Sequence, residues 1–266
     1  MHSTPVADSD VRHVPVRRPN PDAQARSRSL LDAFCIDARN LAARQRFIRL
    51  GEDDRRVIAP LIPWCEQNAE AMAREFYDWQ FEFPGTRSLF EQYASKTGRS
   101  LSDIRIHLER AQAEFIRRVF RASESCWGAE YFEFLLSVGS LHDRINVPLK
   151  WYMGSYIELF VIVRKHLKAH LAGRRFGRWG HEDVELSLQR VFNYSQQAIV
   201  DSFLLSTLRS MGMRLDEVEC AEGLDRTDYL GHYKTTIKKT MASINGLVEG
   251  LTNAAVKLDE ISHQMA

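Results

Sequence analysis

The sequence predicts an all-α protein, and three observations carry that prediction. No part of its central region alternates apolar and polar residues with period two for long. Apolar residues instead return at helical spacing, as in Ile104, Leu108, Ala111, Phe115 and Val119. A heptad stripe then runs from Leu230 to the end of the chain. At 266 residues with 44% hydrophobic and 27% charged side chains, the chain can bury a real core, as one large domain with an extension or as two small ones.

Residues 1–27 are rich in Pro, Arg, Asp and Ser without apolar periodicity, and read as a disordered tail. Near Ser29 a helical pattern begins, with Leu30, Leu31, Phe34 and Leu41 on or near one face. Gly51 breaks it, and Asp53 and Asp54 are candidate caps for the short helix that follows. Pro63 suits the first turn of a helix that runs to about Phe83, where Pro84-Gly85 closes it. A short segment around Leu89-Phe90 comes next, and 95–100 is polar and loop-like. Further helices are expected over 101–120, 131–144, 148–171 (opened by Pro148) and 183–213. Loops are expected at 121–128 and, strongly basic, at 173–180.

From Leu230 the spacing tightens to heptads. Leu230, Ile237, Ile244, Leu251, Leu258 and Met265 recur every seven residues, with Met241, Val248, Ala255 and Ser262 as the companion positions. Such a repeat marks a coiled coil or a long four-helix bundle; an amphipathic helix docked on its own domain is the alternative. Gly246 and Gly250 each weaken it by roughly 1 kcal/mol relative to Ala, so it needs a partner helix.

Several function classes are excluded early. Net charge is +1, which provides no broad basic field for nucleic acid. The four cysteines, Cys35, Cys65, Cys126 and Cys220, form no CxxC pair and read as reduced thiols of a cytoplasmic protein. No Cys/His cluster has zinc spacing, and no apolar run reaches the ~18–20 residues that span a bilayer. His166 and His170 are spaced i, i+4 like a metal pair, but they lie among Arg164, Lys165 and Lys168 and read as a solvated basic face.

The chemistry concentrates in 138–156. His142 stands near the end of an apolar helix, and a neutral imidazole there can bind iron. A lone His on such a face is more often structural or at the surface. The segment His142, Ile145, Val147-Pro148, Lys150-Trp151-Tyr152-Met153-Gly154 resembles the haem domain of globin-coupled sensors. Over about 28–213 the match includes the extra N-terminal helix, with Glu75-Phe76-Tyr77 and Leu108-x-x-Ala111 in the family's order. Asn146 stands where the family often has Gly, and the stretch 81–104 is longer than usual.

The resemblance implies a globin-like helical sandwich with an extra N-terminal helix and a C-terminal coiled-coil signalling helix. Its parts are a haem domain at 28–213, a linker at 214–229 and the start of the signalling helix at 230–266. It implies haem b on His142 as proximal ligand. Tyr77 becomes the distal donor to bound gas, Leu108 the apolar residue controlling access, and Trp151 and Tyr152 the pocket support. A phenol donor in a dry pocket stabilises a partly negative ligand by roughly 1 kcal/mol or more; a core tyrosine bonded to a carbonyl is the alternative for Tyr77. Ala111 stands where some relatives carry a polar distal group. His107 is expected at the surface, or as a rim contact to a propionate.

The implied function is a sensor of dioxygen or another diatomic gas, not itself an enzyme. The last two core helices would pair with a second subunit as a homodimer. Output would pass to a chemotaxis kinase complex, or alternatively to a diguanylate cyclase or histidine kinase lying beyond residue 266. A haem enzyme is the less favoured class, because no second polar distal group is apparent.

Overall fold

The computed structural model describes residues 29–171 and 180–265. The expected N-terminal tail and nearly all of the expected basic loop lie outside the described residues. Every regular element among the described residues is helical. The α-helices, joined in places by short 3-10 turns, are in order α1 (Leu30–Phe34), α2 (Ala38–Ile48), α3 (Glu52–Ile58), α4 (Ile62–Glu82), α5 (Pro84–Thr97), α6 (Leu101–Arg121), α7 (Ala129–Arg144), α8 (Leu149–Leu171), α9 (His181–Ser210) and α10 (Leu230–Met265).

Local chemistry explains the boundaries. Ser29, Asp37 and Ser100 cap α1, α2 and α6 by accepting from backbone N–H groups three residues on. The first helical run is two helices, because Cys35 turns into the left-handed region at φ 59°. Asp54 caps α3 from its third position by accepting from the Gly51 N–H at 2.8 Å. Its other oxygen accepts from Ser187 and Arg190 of α9, at 2.8 and 2.9 Å.

The longer stretch between α4 and α6 is a helix rather than a short segment and loop. Pro84 ends α4 and begins α5 in one step, since a proline N1 needs no N–H partner. Thr86 caps the corner by donating to the Gln80 carbonyl at 2.5 Å. Gly98, at φ 67°, closes α5.

The core is built from two tightly packed pairs, α4 on α6 and α7 on α9, with α8 laid against both α4 and α9. The all-α, globin-like expectation holds. α7 and α9 approach closely because Gly139 has no side chain: a Cβ there would lie 2.7 Å from Ser202 Cβ and 3.2 Å from Ile199 Cα. Ser202 Oγ uses the proximity to donate to the Leu136 carbonyl at 3.0 Å.

Along the apolar stripe of α9 (Leu186, Val191, Ile199, Phe203 and Leu208), Val191, Ile199 and Leu208 are buried in the chain's own core. Phe203 packs near Tyr152, which leaves Leu186 exposed. The spacing is helical, but most of the stripe serves this domain.

α10 starts on the domain and leaves it. Tyr233 is 1% exposed, and Leu230 and Ile237 pack against the core. Beyond them Met241, Ile244, Val248, Leu251 and Leu258 are all exposed. Leu247 and Ile261, which the heptad register above leaves out, lie exposed in the same segment.

Candidate functional site

The end of α7 fixes His142. Val147 N–H donates to the His142 carbonyl at 3.0 Å and Asn146 N–H to the Asp143 carbonyl at 2.9 Å. This paired closure requires a left-handed residue after the helix, and Asn146 supplies it at φ 56°. That backbone position explains a family preference for Gly, and Asn is the side chain that best tolerates it. Pro148 then stops any continuation, and its carbonyl accepts from Trp151 and Tyr152 as α8 begins.

The imidazole is half-buried. Its Nδ1 lies 2.8 Å from the Val138 carbonyl one turn back. A carbonyl can only accept, so Nδ1 carries the proton and Nε2 keeps its lone pair. Burial pushes the pKa of the ring down, opposed by the Val138 carbonyl. The neutral tautomer with a free Nε2 is therefore the form the fold favours. The Tyr152 ring meets His142 edge-on, 4.5 Å between centroids.

Tyr77 is buried on α4, enclosed by Phe76, Phe81 and Phe90 at 5.3, 6.2 and 6.1 Å. Burial raises its pKa above the ordinary phenol value, with smaller contributions from Tyr152 and Glu109. The hydroxyl is thus a proton-bearing donor. No hydrogen bond to it is formed among the described residues.

Tyr152, pushed up to about 12 by burial, lies against His142. Leu108 is half-buried and packs against the core. Trp151 faces the α4–α5 corner, its ring 5.0 Å from Phe83, with Lys150 over it at 4.8 Å. The structure thus sets Tyr152 against His142 and Trp151 at the adjoining corner, with Tyr77 on α4, the helix that α8 packs against.

Other candidates separate from this group. His107 and Ala111 are exposed. His166 Nε2 lies 3.0 Å from Glu75, which Lys165 also binds at 2.7 Å; the His170 ring packs 5.9 Å from Trp64. No group of metal-ligating residues occurs among the described residues.

Two features escaped the sequence reading. Tyr156, one turn beyond Tyr152, is buried with a hydroxyl that has no aligned partner among the described residues, and its ring lies 5.7 Å from that of Tyr152. Its i+4 spacing from Tyr152 is the signal that could have flagged it. The other feature is an ionic cluster. Arg44 of α2 lies over the Phe132 ring of α7 at 5.2 Å. It stands 2.7 Å from Asp201 of α9, not aligned as a hydrogen bond, and bonds Asp225 just ahead of α10. Nothing in the local sequence connects positions so far apart.

Stacked helix pairs, α4 on α6 and α7 on α9 with α8 laid against both, are the arrangement of a globin-type domain. The chain belongs to the protoglobin family, whose profile matches residues 37–204. It is also 22% identical over 194 residues to the heme-based aerotactic transducer HemAT of Halobacterium salinarum, a match covering 71% of this chain and 37% of that protein. The chain thus spans well under half the length of that relative. Both findings agree with the resemblance carried by His142 to Gly154.

Proposed function

We propose that this chain is a haem-based gas sensor in which His142 holds the iron through Nε2. The observation that carries this reading is the His142 tautomer: Nδ1–H committed to the Val138 carbonyl, Nε2 unprotonated, and the ring held neutral by burial. Such a second hydrogen bond orients a metal-binding imidazole and strengthens it as a ligand. Haem b, if bound, would be held by His142 through Nε2 and would supply an iron able to bind dioxygen or another diatomic gas.

The remaining roles belong to this chain's side chains. Tyr77 would offer its hydroxyl as a hydrogen-bond donor to the gas from a site walled by Phe81 and Phe90. Leu108 narrows the approach. Tyr152 holds the His142 ring edge-on, and Trp151 braces α8 against the α4–α5 corner. A shift of His142 reaches α9 through the close contact at Gly139, and α10 through Arg44, which touches α7, α9 and Asp225 together. Gas binding alters the output only if the two arrangements differ in affinity for it.

The exposed apolar residues Ile157 and Val161 of α8 and Leu186 and Val200 of α9 are the surface offered to a second copy. The name of the Halobacterium relative favours chemotaxis as the output; a diguanylate cyclase or histidine kinase is the alternative.

The test is His142→Ala. The variant is expected to purify without stoichiometric haem, read by its absorption spectrum, while remaining helical. A normal five-coordinate haem spectrum in that variant would sink the assignment.

A further inference from the structure

Two cysteines far apart in sequence meet at the foot of α10. Cys35 occupies the left-handed corner between α1 and α2. Cys220 lies in the segment that leads from α9 to α10, and interaction with its thiol is the main influence lowering the Cys35 pKa. Arg226 clamps the two backbones, donating from Nε to the Ala33 carbonyl at 2.8 Å and from Nη1 to the Val218 carbonyl at 3.1 Å. Each of those carbonyls lies two residues before one of the cysteines. The same segments are stapled again where Gly223 N–H donates to Asp37 at 2.9 Å and Asn40 Nδ2 donates to the Gly223 carbonyl at 3.1 Å. The buried Tyr233, in the first turn of α10, sits beside both thiols.

We propose that Cys35 and Cys220 form a peroxide-reactive dithiol whose oxidation to a disulfide ties the foot of α10 to the α1–α2 corner. Both cysteine residues are only partly buried, which leaves the pair within reach of a small oxidant. The Cys220 thiol and the Arg226 guanidinium favour the thiolate at Cys35 against the cost of its burial, and Cys220 is correspondingly held protonated. Cys35 is therefore the attacking sulfur and Cys220 the resolving one.

In the first step the Cys35 thiolate attacks one oxygen of hydrogen peroxide. The O–O bond breaks, hydroxide leaves, and Cys35 becomes a sulfenic acid. In the second step the Cys220 sulfur attacks the sulfenic sulfur. The S–O bond breaks, and the hydroxide leaves as water with the Cys220 proton. Two thiols and one peroxide thus become one disulfide and two waters. The other two cysteines are internal controls. Burial pushes Cys65 up to about 12. Cys126 is raised too, first by burial and then by Glu52, 3.8 Å from its sulfur.

The experiment uses the full chain, reduced, freed of reductant and exposed to hydrogen peroxide, with peptide mapping under non-reducing conditions. The expected product is a linked pair of peptides containing Cys35 and Cys220, reversed by dithiothreitol. Hydrogen exchange over 230–237 should slow in the oxidised chain and recover on reduction. In Cys220→Ser, Cys35 should accumulate as a sulfenic acid captured by dimedone; in Cys35→Ser, Cys220 should remain a thiol under the same exposure. Circular dichroism on both variants establishes that they fold. The proposal fails if Cys35 stays reduced, if Cys126 reacts before it, or if the linkage joins two copies of the chain. The same products are expected with and without haem, so failure here leaves the reading of His142 untouched.

Discussion

At the scale of single residues, Tyr77 separates packing from function. A phenol placed only to fill the core would be replaceable by phenylalanine without consequence. Tyr77→Phe should take up haem normally and release oxygen faster by roughly five- to tenfold, the equivalent of about 1 kcal/mol for one lost hydrogen bond. Stopped-flow dissociation measures it, and an unchanged rate would remove Tyr77 from the site. Asp201 makes a second residue-scale prediction. Burial raises its carboxyl from 3.8 to about 7, with Arg44 opposing and Asp225 reinforcing. Between those values the folded chain keeps a proton that the unfolded chain has released, so stability falls as pH rises through that window and stays lower above it. Asp201→Asn should flatten this slope in urea titrations across pH 4–7. An unaltered slope would mean that another group is responsible.

At the scale of elements, the close approach of α7 and α9 decides where His142 stands, three residues beyond Gly139. Gly139→Ala places a methyl 2.7 Å from Ser202 and 3.2 Å from the α9 backbone at Ile199, and overpacking of this kind costs about 1–3 kcal/mol. Thermal unfolding should show that loss. Haem retention should fall with it, because relief requires α7 to move away from α9. Full stability and full haem content together would show that the contact is softer than its geometry implies. The helices were largely legible from periodicity: α4, α6, α8 and α9 fall where apolar spacing and proline starts place them. α5 was not, since Pro84-Gly85 reads locally as a stop. It forms because Phe81 and Phe90 stack at 4.6 Å, a pairing across the turn that periodicity does not register.

At the scale of the whole molecule, α10 departs from the domain with a bare apolar stripe. Residues such as Leu247, Leu251 and Leu258 are each about two-thirds exposed or more, and a helix carrying Gly246 and Gly250 is marginal alone. Burial of each large side chain against a second α10 contributes roughly 1.5–3 kcal/mol. Light scattering at micromolar concentration should give a dimer. Leu251→Asp with Leu258→Asp should lower helicity without changing the haem spectrum. A strictly monomeric chain would overturn transmission through paired helices and leave the haem site standing.

What the sequence determined by itself is what depends on neighbours within a turn or two: the all-helical class, most helix starts, the heptads, and the His142-to-Gly154 segment that marked the site. Only the tertiary structure decided which face of α9 is core. It also decided that Arg44 ties α7, α9 and Asp225 together, and that Cys35 meets Cys220. These pairs lie far apart in the chain, and each forms only because packing the apolar faces of separate helices brings their polar groups to one place. Hydrophobic periodicity says that a face will be buried; it does not say against what.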